Sequence, residues 1–263
     1  MPYVTVNGAR LYYEVEGAGR TVLLLHAVGV DLTCWDAQLA ALTPRYRVLR
    51  VDLRGHGRSD IPPPPYTLQG SAADMHALLH QLQLAPAHVV GLSMGGMVAQ
   101  VLALEYPDDL SALVLADTNS TLPRDVRPAI AERGEAALRS GMAGVVDTTL
   151  ERWFTPGFMG SDVVARCRRR LLTTNVQGWA ATWRAISEVD THPRLGELRV
   201  PTLVMTGEAD VSAPAARAQA MAAAIPGAQL YIVPGAPHMA PLERPDLFNA
   251  ALLGFFEKLS SKA

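Results

Sequence analysis

The sequence predicts an α/β fold: a mostly parallel, eight-stranded sheet with helices on both faces and an inserted helical segment. Three observations carry that expectation. Short apolar runs alternate with helical segments over most of the chain, as a parallel sheet covered on both faces requires. The pentapeptide Gly91-Leu92-Ser93-Met94-Gly95 sits where one such run meets a helix-like stretch, the setting of a sharp strand-to-helix turn. Between residues 120 and 199 the alternation stops and only helical patterns remain.

Residues 3–6 and 10–15 alternate around Asn7-Gly8, a dipeptide that favours a tight hairpin, so the sheet is expected to begin with an antiparallel pair. Apolar runs follow at 21–25, 46–51, 87–90 and 112–116, with helices expected at 32–42, 68–82 and 95–106. Four prolines at 62–65 indicate a stiff surface loop. After the helical stretch the alternation resumes, with strands at 200–207 and 229–233 and helices at 214–224 and 245–259. Residues 1–119 and 200–263 are therefore expected to form the core, and 120–199 a helical cap inserted over its cleft.

The chemistry is centred on Ser93. A hydroxyl is a poor nucleophile near neutral pH unless a base takes its proton, and the base needs an orienting acid. In folds with this turn the partners follow in the order acid, then histidine. Asp210 begins a loop after strand 200–207 and is the leading acid; Asp117, after strand 112–116, is its rival, and Glu208 a weaker one. His238 follows strand 229–233 in a segment, Pro234-Gly235-Ala236-Pro237, that disfavours regular structure, and is the leading base. His56, His76, His80, His88 and His192 lack such a setting. The oxyanion formed on attack calls for fixed backbone N–H donors, expected from Met94 and from Val28 in the loop after strand 21–25.

A chain of 263 residues, 49% hydrophobic, is suited to one catalytic domain. A formal net charge of −2 gives no general affinity for nucleic acid, and the run Arg166-Cys167-Arg168-Arg169-Arg170 is expected on a solvated helix face. Cys34 and Cys167, far apart in sequence, suit free thiols in a reducing compartment. With no leader-like start and no membrane-length apolar stretch, the expected address is the cytoplasm. No G-x-G-x-x-G follows a strand, and the histidines show no clustered ligand spacing, so neither a dinucleotide cofactor nor a metal is expected.

Three segments carry a family likeness. Asp52-Leu53-Arg54-Gly55-His56-Gly57-Arg58-Ser59 is similar to the loop after the fourth strand of the α/β-hydrolases. Residues 91–100, GLSMGGMVAQ, and Leu150-Glu151-Arg152-Trp153-Phe154-Thr155-Pro156 resemble the elbow helix and a cap segment of the 3-oxoadipate enol-lactonases. The His26-Ala27 start of the oxyanion loop departs from the usual His-Gly. The resemblance, which covers nearly the whole chain, implies an α/β-hydrolase fold with Ser93 as nucleophile, His238 as general base and acid, and Asp210 as its partner. It further implies hydrolysis of a lactone or ester through an acyl-enzyme, in particular of 3-oxoadipate enol-lactone in aromatic catabolism. That substrate carries a carboxylate, for which Arg152 beside Trp153 is a candidate partner, with Trp179, Trp183 and Arg184 as a competing set. Alternatives are a general carboxylesterase, a cofactor-free perhydrolase or haloperoxidase-like enzyme, and a non-catalytic binder of a small ligand. Serine rather than aspartate at position 93 argues against dehalogenases and epoxide hydrolases.

Overall fold

The computed structural model describes residues 2–260. Its centre is one eight-stranded sheet: β1 (Tyr3–Val6), β2 (Ala9–Glu16), β3 (Thr21–Leu25), β4 (Arg47–Val51), β5 (Ala87–Leu92), β6 (Leu110–Ala116), β7 (Thr202–Gly207) and β8 (Gln229–Val233). The strand order is β1-β2-β4-β3-β5-β6-β7-β8. The hairpin at Asn7-Gly8 makes β1 and β2 antiparallel, β2 runs antiparallel to β4, and every later pairing is parallel. Every residue of β3, β5 and β7 is buried, because helices cover both faces of these strands and leave no side for polar residues.

The core helices are α1 (Asp36–Leu42), α2 (Leu68–Gln81), α3 (Met94–Glu105), α8 (Ala215–Ala224), the short α9 (Ala240–Glu243) and α10 (Pro245–Ser260). The helix expected at 32–42 divides at Trp35: Asp31 accepts from Thr33 N–H and caps a 3-10 turn, and α1 begins after it. Residues 62–65 form an irregular segment, with Tyr66 Oη donating to Pro62 O. Between β6 and β7 lie α4 (Arg127–Ser140), α5 (Val146–Trp153), α6 (Asp162–Leu172) and α7 (Val176–Ser187). α4 packs against α7 across Gly134, where a Cβ would lie 2.8 Å from Ala180 Cα. α7 reaches the core at Gly178, whose missing Cβ would lie 2.8 Å from Gly55 O.

Of the basic run on α6, expected on a solvated helix face, Arg166 and Arg169 are exposed and the other members are engaged. Cys167 is buried, Arg168 pairs with Asp147 at 2.6 Å, and Arg170 reaches Asp31 at 3.0 Å beside the loop after β3. The fold also brings Cys34 and Cys167 to one small cavity of about 170 Å³, where both remain thiols and burial pushes the Cys167 thiol up to about 12. Among the described residues, no helix is long and apolar enough to cross a membrane.

Candidate active site

Ser93 stands between β5 and α3 with φ +53°, a left-handed conformation that costs a non-glycine residue strain. The turn closes only because its neighbours lack side chains. A Cβ on Gly91 would lie 2.3 Å from Gly95 O, and one on Gly95 would lie 2.2 Å from Leu25 O. Ser93 N–H donates to Ala116 O at 2.9 Å, and Thr118 Oγ1 donates to Ser93 O at 2.6 Å, which ties the turn to the end of β6.

Three side chains from separate strand ends meet here. Ser93 Oγ donates to His238 Nε2 at 2.9 Å, and His238 Nδ1 donates to Asp210 Oδ2 at 2.8 Å. The other carboxylate oxygen of Asp210 accepts from the N–H groups of Ser212 and Ala213 at 2.7 and 2.9 Å. Burial works to raise the Asp210 pKa, but His238 and these donors outweigh it and hold the carboxyl below its ordinary value. An ionised Asp210 keeps the proton on Nδ1 and leaves Nε2 free to accept one from serine.

The rival acids are engaged elsewhere. Asp117 Oδ1 accepts from Gly207 N–H at 2.8 Å and Oδ2 from Ala240 N–H at 3.3 Å, so it fastens the ends of β6 and β7 to α9. Burial and the nearby Asp210 push its carboxyl well above the usual range. Glu208 is exposed and accepts from Gly235 N–H at 2.9 Å.

The loop after β3 lies beside Ser93. His26 Nε2 accepts from Leu53 N–H at 2.9 Å and its Nδ1 donates to Ala27 O at 2.7 Å, while burial lowers its pKa and keeps the ring neutral. Gly29, at φ +75°, fits under Trp179, whose ring would lie 2.5 Å from an added Cβ. Val28 and Met94 are both buried, Val28 lines the cavity with Ser93, and among the described residues neither N–H has a protein acceptor. In the segment 52–59, Asp52 accepts from Leu32 and Arg58 N–H groups at 2.8 Å each, and Gly57 leaves the space its carboxylate fills.

The cavity over Ser93 measures about 560 Å³, within the range of about 300–1,000 Å³ usual for small-molecule sites. Core residues Ser93, Val28 and His238 line one side, and α4, α5 and α7 line the other. Arg152 and Trp153 both line it, as do Trp179 and Trp183 of the competing set. Arg184 does not: it pairs with Glu135 at 2.6 Å.

Arg133, which the sequence reading missed, also lines the cavity, half-buried, with its guanidinium 4.9 Å from the Trp183 ring centroid. Burial and the like charge of Arg152 lower its pKa to about 10, so it remains a cation at neutral pH. Neither Arg133 nor Arg152 pairs with an acidic side chain among the described residues. A signal was present: Arg133 is the basic interruption of a stripe, Ala129, Ile130 and Ala136, that α4 turns toward the cavity.

Comparisons with known proteins agree with this geometry. The model of the alpha/beta hydrolase family matches residues 22–251. The 3-oxoadipate enol-lactonase 2 of Acinetobacter baylyi is 30% identical over 253 residues, 95% of this chain and 94% of its own length. Among solved structures, a hydrolase from Pseudomonas aeruginosa superposes with a TM-score of 0.92 at 38% identity, covering 97% of both chains. The enol-lactonase from Burkholderia xenovorans does so with a TM-score of 0.92 at 33% identity, covering 97% of this chain and all of its own. The strand order, the Ser93 turn and these likenesses together lead to one statement: this chain belongs to the alpha/beta hydrolase family.

Proposed function

We propose that the protein is a serine hydrolase that opens a small lactone or ester bearing a free carboxylate, with 3-oxoadipate enol-lactone as the leading substrate. The observation that carries this reading is the Ser93–His238–Asp210 hydrogen-bonded chain facing a cavity with two arginines that lack acidic partners. His238 Nε2 takes the Ser93 proton as Oγ attacks the acyl carbon, and Asp210 stabilises the imidazolium that forms. The N–H groups of Val28 and Met94 receive the oxyanion, aided by the positive N-terminal end of α3.

Collapse of the tetrahedral adduct expels the enolate or alcohol and leaves an acyl group on Ser93; water activated by His238 then releases the acid. The inserted helices act as the cap. Arg133, half-buried, and Arg152, exposed at the cavity, hold the substrate carboxylate, a charge that offsets the like charge Arg152 places on Arg133. Trp153, Trp179 and Trp183 pack against its carbon skeleton. The backbone fixes part of this cap to the catalytic loop, since Met239 N–H donates to Trp153 O at 3.1 Å and Thr155 N–H to Glu243 Oε2 at 3.0 Å.

The test follows ultraviolet absorbance of 3-oxoadipate enol-lactone with purified protein, beside p-nitrophenyl acetate and a Ser93→Ala control. Fast lactone loss that depends on Ser93, with slow ester cleavage, supports the full reading. Ester cleavage without lactone turnover keeps the serine chemistry and discards the substrate. Silence on both substrates argues against the hydrolase reading and for a ligand-binding role.

A further inference from the structure

A second constellation lies away from the cavity and corrects the expectation that the histidines show no clustered ligand spacing. His76 and His80 stand one turn apart on α2, so their rings share a face, with centroids 4.5 Å apart. Asp109, in the turn leading into β6, directs its carboxylate between them: Oδ2 accepts from His76 Nδ1 and Oδ1 from His80 Nε2, both at 2.7 Å. One ligand-type atom from each residue lies within 4.8 Å of the other two.

The surroundings are those of a site that can take up a cation. Asp109 is buried, with no Lys or Arg partner among the described residues, while the two histidine rings are open to water. The plane of His76 is held by stacking on Tyr106, at 4.1 Å and 14°. Two bonds of about 2.1 Å to one ion reach across about 4 Å. The three ligand atoms, all within 4.8 Å of one another, lie close to that reach, and the exposed His80 ring has room to turn the remaining distance.

We propose that His76 Nδ1, His80 Nε2 and the Asp109 carboxylate bind a borderline divalent cation of the zinc class. Two imidazoles and one carboxylate suit such an ion, and water fills the coordination positions that face solvent. In each neutral ring the proton that now points at the carboxylate moves to the other ring nitrogen, which frees His76 Nδ1 and His80 Nε2 to bind. The ion is structural. β5 and β6 pair from Ala87↔Leu110 to Leu92↔Ala116, which places Asp109 at one end of the sheet and Ser93 at the other. At about 3.3 Å per residue the two sites are roughly 20 Å apart. The metal clamps α2 to the turn between α3 and β6, and takes no part in hydrolysis.

Calorimetric titration of zinc chloride into the metal-free protein, with thermal melts at each zinc concentration, tests the proposal. The expected result is one saturable site and a Tm that climbs with free zinc. His80→Gln, at an open position, and Asp109→Asn should each weaken binding roughly tenfold or more, whereas His192→Gln binds as the parent does. Absence of saturable uptake by the parent protein, or uptake that His80→Gln and Asp109→Asn leave unchanged, overturns it. Because the readout is binding and melting, it is independent of whether the lactonase reading holds.

Discussion

The two sides of the cavity are built by different physics. On the floor, around Ser93, backbone does the positioning: glycines at 91 and 95 admit contacts that any side chain would block, and the proposed oxyanion donors are the main-chain N–H groups of Val28 and Met94. On the roof, side chains do it: Arg133, Arg152, Trp153, Trp179 and Trp183 project from α4, α5 and α7 into the cavity. A floor of this kind prescribes a reaction class. A roof of this kind bears on the choice of substrate.

Predictions follow from that contrast, from the largest effect down. Ser93→Ala should lower kcat about 10⁴-fold or more on every substrate, lactone or neutral ester, while leaving the melting temperature near that of the parent. Asp210→Asn, which offers His238 a group that no longer requires the Nδ1 proton, should cost kcat about 10⁴-fold at pH 7; a loss of less than tenfold would remove Asp210 from the site. Gly95→Ala should destabilise by about 3 kcal/mol or more in urea melts, because its Cβ meets Leu25 O. The same change at Gly157 in the inserted segment, with nothing within 4 Å, should shift stability far less.

The roof is tested by selectivity. Arg133→Ala should lower kcat/KM for a carboxylate-bearing lactone roughly 10–100-fold and leave a neutral ester nearly unchanged. Equal losses on both would mean that Arg133 supports the fold of α4 rather than the substrate.

The smallest effect belongs again to the core. Burial lowers the pKa of His56 to about 3 and of His88 to about 4, below the unfolded value near 6.5. Between those limits the unfolded chain binds protons that the folded chain refuses, so stability is full above about pH 6.5 and falls as pH drops toward 4 and 3. Each histidine should contribute roughly 1–2 kcal/mol of loss between pH 7 and pH 5. Denaturant titrations of the parent and of His88→Gln measure this; an identical slope in both would exclude His88 as a cause.

The contrast between floor and roof also explains what was legible in the sequence. Glycines around a serine, and an aspartate and a histidine after apolar strands, mark positions where the backbone has few choices, so strands are readable to within a residue or two, and the fold brings Ser93, His238 and Asp210 into one hydrogen-bonded chain. Arg133 escaped because a single cation on a helical stripe has meaning only once α4 has been laid against α7 over the cavity. Arg184 was a reasonable competitor until its partner, Glu135 on α4, was seen. The spacing of His76 and His80 was readable as one helical face, but their third partner, Asp109, lies beyond α3 and joins them only through the packing of α2 on α3. Cys34 and Cys167 meet for the same reason, through tertiary packing that local pattern does not encode.

The central claim is that Ser93 carries the acyl group. It is tested most directly by mixing the protein with p-nitrophenyl acetate, quenching in acid within the first turnovers, and mapping the adduct by peptide mass spectrometry. An acetyl group is expected on the peptide that contains Ser93, present in the parent protein and absent from Ser93→Ala. Ester turnover with no adduct on that peptide, or with the acetyl group on another residue, would contradict it.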